Sequence, residues 1–260
     1  MLLYKYGFTN INYKAIYSFQ SVKLFILFRL IDPIIHYLFY AALVSSVIGS
    51  EFIKFVVIGN IAFYTFQTMS INFLNMFRME RRFGTLELSI ASPTSTLLII
   101  LRKAIVPFLD STFVFAAGLV IGHFLFGLEM PLMKTGTLFV LMVITLFSMM
   151  SFSMIFAAVS LLVENPNLYL NIVLAVTQIL CGANFSVHFL PGPLESIARM
   201  LPLTNSIEAL RGIFGLESYA IAPLLMKEFS IGIGYLLISL ILIAFMERAA
   251  RRNGALFKSV

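Results

Sequence analysis

Cysteine occurs once in this sequence, at Cys181, which excludes an internal disulfide and leaves no thiol cluster for a metal. Charge is scarce as well: Asp, Glu, Lys and Arg make up 12% of the 260 residues, while 60% are hydrophobic and the mean hydropathy is +0.97. A soluble domain of that composition would expose large apolar patches, so that class is excluded and a polytopic membrane protein is expected. No G-x-x-x-x-G-K-[ST] loop occurs to cradle phosphates, so nucleotide cannot be bound and split here in the usual way. His36, His123 and His188 fall at no ligand spacing, and no Ser/His/Asp or Cys/His arrangement suggests nucleophilic catalysis. The chain is therefore read as a non-enzyme with no metal and no cofactor of its own.

What is present is a series of apolar runs near the spanning length of about 20 residues. They cover 33–48, 55–77, 104–126, 132–163, 168–184 and 223–246, six spans in a single transmembrane domain over 1–260. The expected fold class is accordingly an all-α membrane protein. Residues 1–21 mix Lys5, Asn10, Asn12 and Lys14 with aromatics, lack a cleavage site, and read as an amphipathic helix on the membrane surface rather than a removable signal. Val22 to Ile31 can extend the first span at the lipid boundary. With six spans, one side collects 13 of the 18 Lys and Arg residues, which makes both termini cytoplasmic. The net charge of +6 sits at the ends of apolar runs, where it meets anionic lipid, so no nucleic-acid partner is implied.

Between the second and third spans lies a charged segment, 79–93, held out of the membrane. Gly84 permits a turn, Thr85 can cap a short helix, Leu86 and Ile90 share one face, and Pro93 stops it. Glu80 and Glu87 can meet basic groups of a partner, and Arg81 and Arg82 acidic ones. The alternative is a solvated loop that merely obeys the charge rule for orientation. The other cytosolic turn is brief, Glu164-Asn165-Pro166. On the opposite side the long connection, 185–222, carries two short helical patterns. Asn205 and Glu208 form a capping-box-like start, and Glu208 and Arg211, three apart, are expected to pair. Both short helices are expected to be interfacial.

Two spans carry polar stripes. Asn60, Tyr64, Gln67, Thr68, Asn72 and Asn75 occupy one face of the second, and Asn171 and Gln178 align in the fifth. These residues either line a translocation path or bond helices together. Without charge, such a path suits an amphiphile or a neutral glycan better than a bare ion. Asp110, following Pro107 in the third span, is either one member of a structural pair or part of a proton relay, and Arg29 is expected to pair locally with Asp32.

Two blocks carry a resemblance. Glu80-Arg81-Arg82-Phe83-Gly84-Thr85-Leu86-Glu87 with Ser92-Pro93, and Leu201-Pro202-Leu203-Thr204-Asn205-Ser206-Ile207-Glu208-Ala209-Leu210-Arg211, resemble segments of the membrane subunits of second-type ATP-binding-cassette exporters. That family includes drug, nodulation-factor and polysaccharide permeases. The resemblance implies a bacterial plasma-membrane permease that pairs with a second copy of itself or a similar permease. It also implies two copies of a separate ATPase subunit, which would hold ATP and Mg. Residues 79–93 and Glu164 would then contact that ATPase, 79–93 as the coupling helix. Pro202, Thr204, Glu208 and Arg211 would form an external gate. The expected activity is export of an amphiphilic small molecule, antibiotic or peptide-like product. Export of a lipid-linked glycan is the alternative, and an ion-driven carrier is a more distant one.

Overall fold

The computed structural model describes residues 22–82, 96–163 and 166–253. Nine α-helices and no strand occur among the described residues: α1 (Val22–Val47), α2 (Ile53–Arg82), α3 (Thr96–Lys103), α4 (Ile105–Phe126), α5 (Thr135–Leu162), α6 (Pro166–Leu180), α7 (Gly192–Ala198), α8 (Thr204–Ile213) and α9 (Ile221–Asn253). Five helical stretches are long and apolar enough to cross a bilayer, within α1, α2, α3 with α4, α5 and α9. The chain is an all-α membrane protein. The N-terminal segment 1–21, the centre of the charged segment (83–95) and Glu164-Asn165 lie outside the described residues.

α2 is the axis of the bundle. It packs on α1, α4 and α5, and 67% of its spanning window is buried, against 17% for α9. The difference follows from sequence. α9 turns Ile241 and Phe245 outward, as α5 does Phe139 and Val143, apolar surfaces suited to lipid or a second apolar chain. α2 instead buries Asn60, Thr65, Ser70 and Asn72, and buried polar groups are retained only where they find partners. The most extensive helix pairing joins α5 to α9. Gly232 permits that approach, since a Cβ there would lie 3.0 Å from the Phe147 ring and 3.1 Å from the Ser148 backbone.

Several boundaries depart from the apolar runs for identifiable reasons. α1 carries Pro33 inside it, with its spanning stretch beginning at Arg29 rather than at residue 33; an interior proline is tolerated where neighbouring helices hold the segment. The third span is longer than 104–126 and is interrupted at Ala104, between α3 and α4. Pro107 has no amide to bond the Lys103 carbonyl, and the helix breaks there. α2 continues through Met79 to Arg82, so the charged segment begins as an extension of the second span. α5 starts after a 3-10 turn over Leu132–Lys134.

α6 is only 15 residues long, and the chain leaves helical geometry at Cys181. Its course is nevertheless long. Arg78 Nη1 donates to Asn167 Oδ1 at 3.3 Å, and Asn60 Nδ2 donates to Asn184 Oδ1 at 2.9 Å. These bonds run the segment antiparallel to α2 over roughly 18 residues, about 27 Å of helix axis. Gly59 makes the close approach possible: a Cβ there would sit 2.1 Å from the Ala183 carbonyl oxygen.

The two short helices of the 185–222 connection are not alike. α7 is largely exposed, but every residue of α8 is buried, wedged against α9, α2 and α5. The expectation of two interfacial helices therefore fails for α8, which is a core element.

Candidate functional site

A cleft of about 530 Å³ opens on the face shared by α1 and α2, lined by Arg29, Asp32, Ile35, His36, Phe39 and Tyr40 from the first helix and Tyr64, Gln67, Thr68 and Ile71 from the second. The α1 contribution follows helical geometry: positions 29, 32, 36 and 40 are spaced three, four and four apart and fall on one face. That spacing was visible in the sequence, but the apolar residues around it concealed the stripe.

Beneath the cleft is a charge pair. Arg29 Nη2 donates to Asp110 Oδ2 at 2.5 Å, and Asn72 Nδ2 donates to the same oxygen at 2.6 Å. The Asp110 side chain is 4% exposed. Asp110 is thus a member of a structural pair, and the expected local pairing of Arg29 with Asp32 is replaced by a contact across 81 residues. Charge at this depth is costly unless paired and bonded, which accounts for the amide of Asn72 beside it.

A second polar cluster meets the cleft at His36. His36 Nε2 and Asn60 Oδ1 lie 3.1 Å apart, and the Asn60 amide donates to the Val56 carbonyl at 2.9 Å as well as to Asn184. The polar stripe of α2 is therefore divided. Asn60 and Asn72 bond other elements, Tyr64, Gln67 and Thr68 face the cleft, and Asn75 accepts from Arg78. From α6, the Gln178 amide donates to the Tyr40 hydroxyl, placing it at the cleft margin, while Asn171 is exposed. Asn184 was missed as a partner because its contact lies 124 residues away.

The 200–211 block builds a different kind of site. Arg211, 1% exposed, donates from Nη2 to the carbonyls of Gly182 at 2.7 Å and Ala183 at 3.1 Å, and more weakly to Phe55 at 3.3 Å. Its guanidinium carbon lies 3.3 Å from the centroid of the Phe55 ring. Burial pulls the Arg211 pKa down to about 10, still high enough to keep it charged at neutral pH. These bonds consume the carbonyls just past α6 and, with Gly182 at φ 78°, explain why the helix ends at Leu180 rather than running to residue 184.

Arg211 does not pair with Glu208, contrary to expectation. Glu208 faces Arg199, 3.5 Å away, and burial raises its carboxyl above the usual range against the pull of that cation. Nor does the Asn205–Glu208 capping box form. Helix α8 begins after Leu203, a non-glycine residue at φ 95°, whose amide donates to the Glu228 carboxylate of α9 at 2.8 Å. Asn205 reaches the other oxygen of Glu228 at 3.5 Å, and the Thr204 hydroxyl donates to the Ala198 carbonyl at 2.7 Å. Pro202 is buried beside them. Glu228 escaped notice as one acid in an apolar run.

At the far end of α2, Lys103 Nζ donates to Glu80 Oε1. Glu80 is therefore engaged within the chain rather than held ready for a partner, and the pair ties α2 to the end of α3. The side chains of Arg81 and Arg82, and Gly84, Thr85, Leu86, Glu87, Ile90 and Pro93, lie outside the described residues, as does Glu164.

A family model described as ABC-2 type transporter matches residues 9–215, well over half of the chain. The chain belongs to that family and is a multi-pass membrane permease. No curated protein matches it.

Proposed function

We propose that this ABC-2 type permease is the membrane subunit of an ATP-driven exporter that moves an amphiphilic small molecule, antibiotic or peptide-like product outward across a bacterial plasma membrane. Two permease chains, either two copies of this one or this one with a similar chain, would work with two copies of a separate ABC ATPase that binds ATP and Mg. The observation that carries the cargo reading is the cleft between α1 and α2. Its lining mixes polar Tyr64, Gln67 and Thr68 with apolar Ile35, Phe39 and Ile71, as an amphiphile requires.

Drive from the partner requires a stiff contact that distinguishes two conformations of the permease. The Glu80–Lys103 pair supports that reading, because it joins α2 to α3, the helices on either side of the segment 83–95. Leu86, Ile90 and Glu87 would then seat in the ATPase, with Glu164 beside them. On the other side α8, held by Arg211 and Glu228, would gate cargo release, with Pro202, Thr204, Glu208 and Arg211 fixing its position.

The test uses the chain co-purified with the ABC ATPase encoded beside it. Cargo-stimulated ATP hydrolysis is expected, with a photoreactive cargo labelling Gln67→Cys but not Phe139→Cys on the lipid-facing side of α5. Cys181 is buried and leaves a quiet background. The double variant Leu86→Ala with Glu87→Ala should abolish transport and leave membrane insertion intact, since neither residue belongs to the Glu80–Lys103 tie. Transport by the chain without any ATPase, or full transport by that double variant, would overturn the reading.

A further inference from the structure

The cleft carries an unbalanced charge. Arg29, the cation among its lining residues, is committed to Asp110 below. Asp32, the carboxylate in the lining, is exposed and has no ion-pair or hydrogen-bond partner among the described residues. It lies three residues inside the spanning stretch that begins at Arg29.

On the same face, beyond Asp32, stands a continuous aromatic wall. The His36 ring is 4.9 Å from Tyr40 and 5.2 Å from Tyr64, and Phe39 is 5.2 Å from Tyr40. Aromatic faces attract an organic cation through their negative quadrupole, most strongly where water is thin. His36 is bonded to Asn60 and half-buried among these rings. Counting Arg29 and Asp110 as a neutral pair, the pocket holds one carboxylate without an ion-pair partner among the described residues, a wall of rings, and the apolar Ile35 and Ile71.

We propose that this cleft binds an amphiphilic organic cation, its charge between the Asp32 carboxylate and the faces of Tyr40 and Tyr64, its apolar body against Ile35, Phe39 and Ile71. The cleft is open, so such a molecule can enter it, and the Gln67 amide offers it a neutral polar contact. This narrows the cargo class of the function proposed above and rests on that reading for its physiological meaning, but binding itself needs no ATPase.

Tetraphenylphosphonium and tetraphenylborate have nearly the same shape and opposite charge, which makes them the probe pair. Equilibrium dialysis on the full chain in lipid nanodiscs should show saturable binding of the phosphonium and only lipid partitioning of the borate. Asp32→Asn should weaken the phosphonium at least about tenfold, and Tyr64→Leu about threefold or more. Asp32→Glu should restore most of the affinity, and the remote exposed variant Glu129→Gln should leave it unchanged. Because Asp32 is exposed, its variants are expected to fold; should Asp32→Asn be recovered only as aggregate, Asp32→Glu and Tyr64→Leu decide. Equal binding of the two ions, or phosphonium affinity indifferent to both Asp32→Asn and Tyr64→Leu, overturns the proposal. The two readings separate cleanly. Asp32-dependent binding without ATP-driven transport in the complex defeats the exporter alone, and ATP-driven transport of another cargo with no phosphonium binding defeats the cation site alone.

Discussion

Two arginines lie inside this bundle and are held by opposite means. Arg211 is surrounded by backbone: the carbonyls of Gly182, Ala183 and Phe55 and the face of the Phe55 ring, with no carboxylate among the described residues in bonding range. Arg29 is held by a side-chain carboxylate, Asp110, at the foot of an open cleft. A carbonyl cage cannot titrate, exchange partners or move without unfolding the segment that forms it. A side-chain pair beside a cleft can be rearranged by whatever enters that cleft. The first site thus serves as a rivet for the 181–211 region, while the second has the chemistry of a place where structure and ligand share a charge.

The largest effect should come from the rivet. Arg211→Met deletes two good hydrogen bonds from a charged donor, at about 1.5–3 kcal/mol each, and leaves buried carbonyls unsatisfied. Loss of the monodisperse protein, or a steep fall in its thermal midpoint in detergent, is the expected result. Retention of wild-type stability would mean that the cage is incidental. Gly59→Ala attacks the same region without touching charge, since its Cβ would meet the Ala183 backbone at 2.1 Å. Backbone cannot swing aside as a side-chain tip can, so a destabilisation of about 1–3 kcal/mol is expected, measured in the same melt.

The Arg29 site should respond in a pattern the rivet cannot copy. Asp110→Leu alone strands the partly buried Arg29 guanidinium and should cost about 2–3 kcal/mol, less than a fully buried pair because Arg29 reaches the cleft, whereas Arg29→Met combined with Asp110→Leu should recover most of that loss. Non-additivity of this kind identifies a pair whose worth is mutual cancellation of desolvation. If the double variant is as unstable as the single, Arg29 owes its position to other contacts.

The same contrast explains how much was legible in advance. Helix content, the apolar runs and the one-sided polar face of α2 follow from periodicity and were readable. So were the residues of α8, though not their burial, because ten residues with Asn, Glu and Arg among them look like a surface helix. What sequence could not supply was partnership. Arg29 finds Asp110 across 81 positions and Asn60 finds Asn184 across 124, while the nearer candidates, Asp32 for Arg29 and Glu208 for Arg211, are passed over. Spacing of three along a helix makes two side chains neighbours, but it does not make them partners when a desolvated carbonyl or a deeper carboxylate offers a better bond. The cleft was half visible for the same reason: its α2 wall showed as a stripe, and its α1 wall, at positions 29, 32, 36 and 40, was hidden in an apolar helix.

The smallest expected effect bears on that last point most directly. Glu208 and Arg211 share α8, and Glu208→Gln asks whether they cooperate. Burial raises the Glu208 carboxyl, so its contribution to stability is present in full below the ordinary carboxylate range and is lost as pH rises through the raised value. Glu208→Gln should therefore be slightly less stable than or equal to wild type near pH 4, and equal to or slightly more stable near pH 7. The attraction of Arg199 at 3.5 Å trims the difference. The readout is the gap in thermal midpoint between the two proteins as a function of pH. A gap that grows with pH in favour of Gln places Glu208 as a desolvated acid with a weak partner, and leaves Arg211 to its carbonyls. A loss at neutral pH as deep as that of Arg211→Met would instead make the two a true ion pair and erase the distinction between the rivet and the cleft.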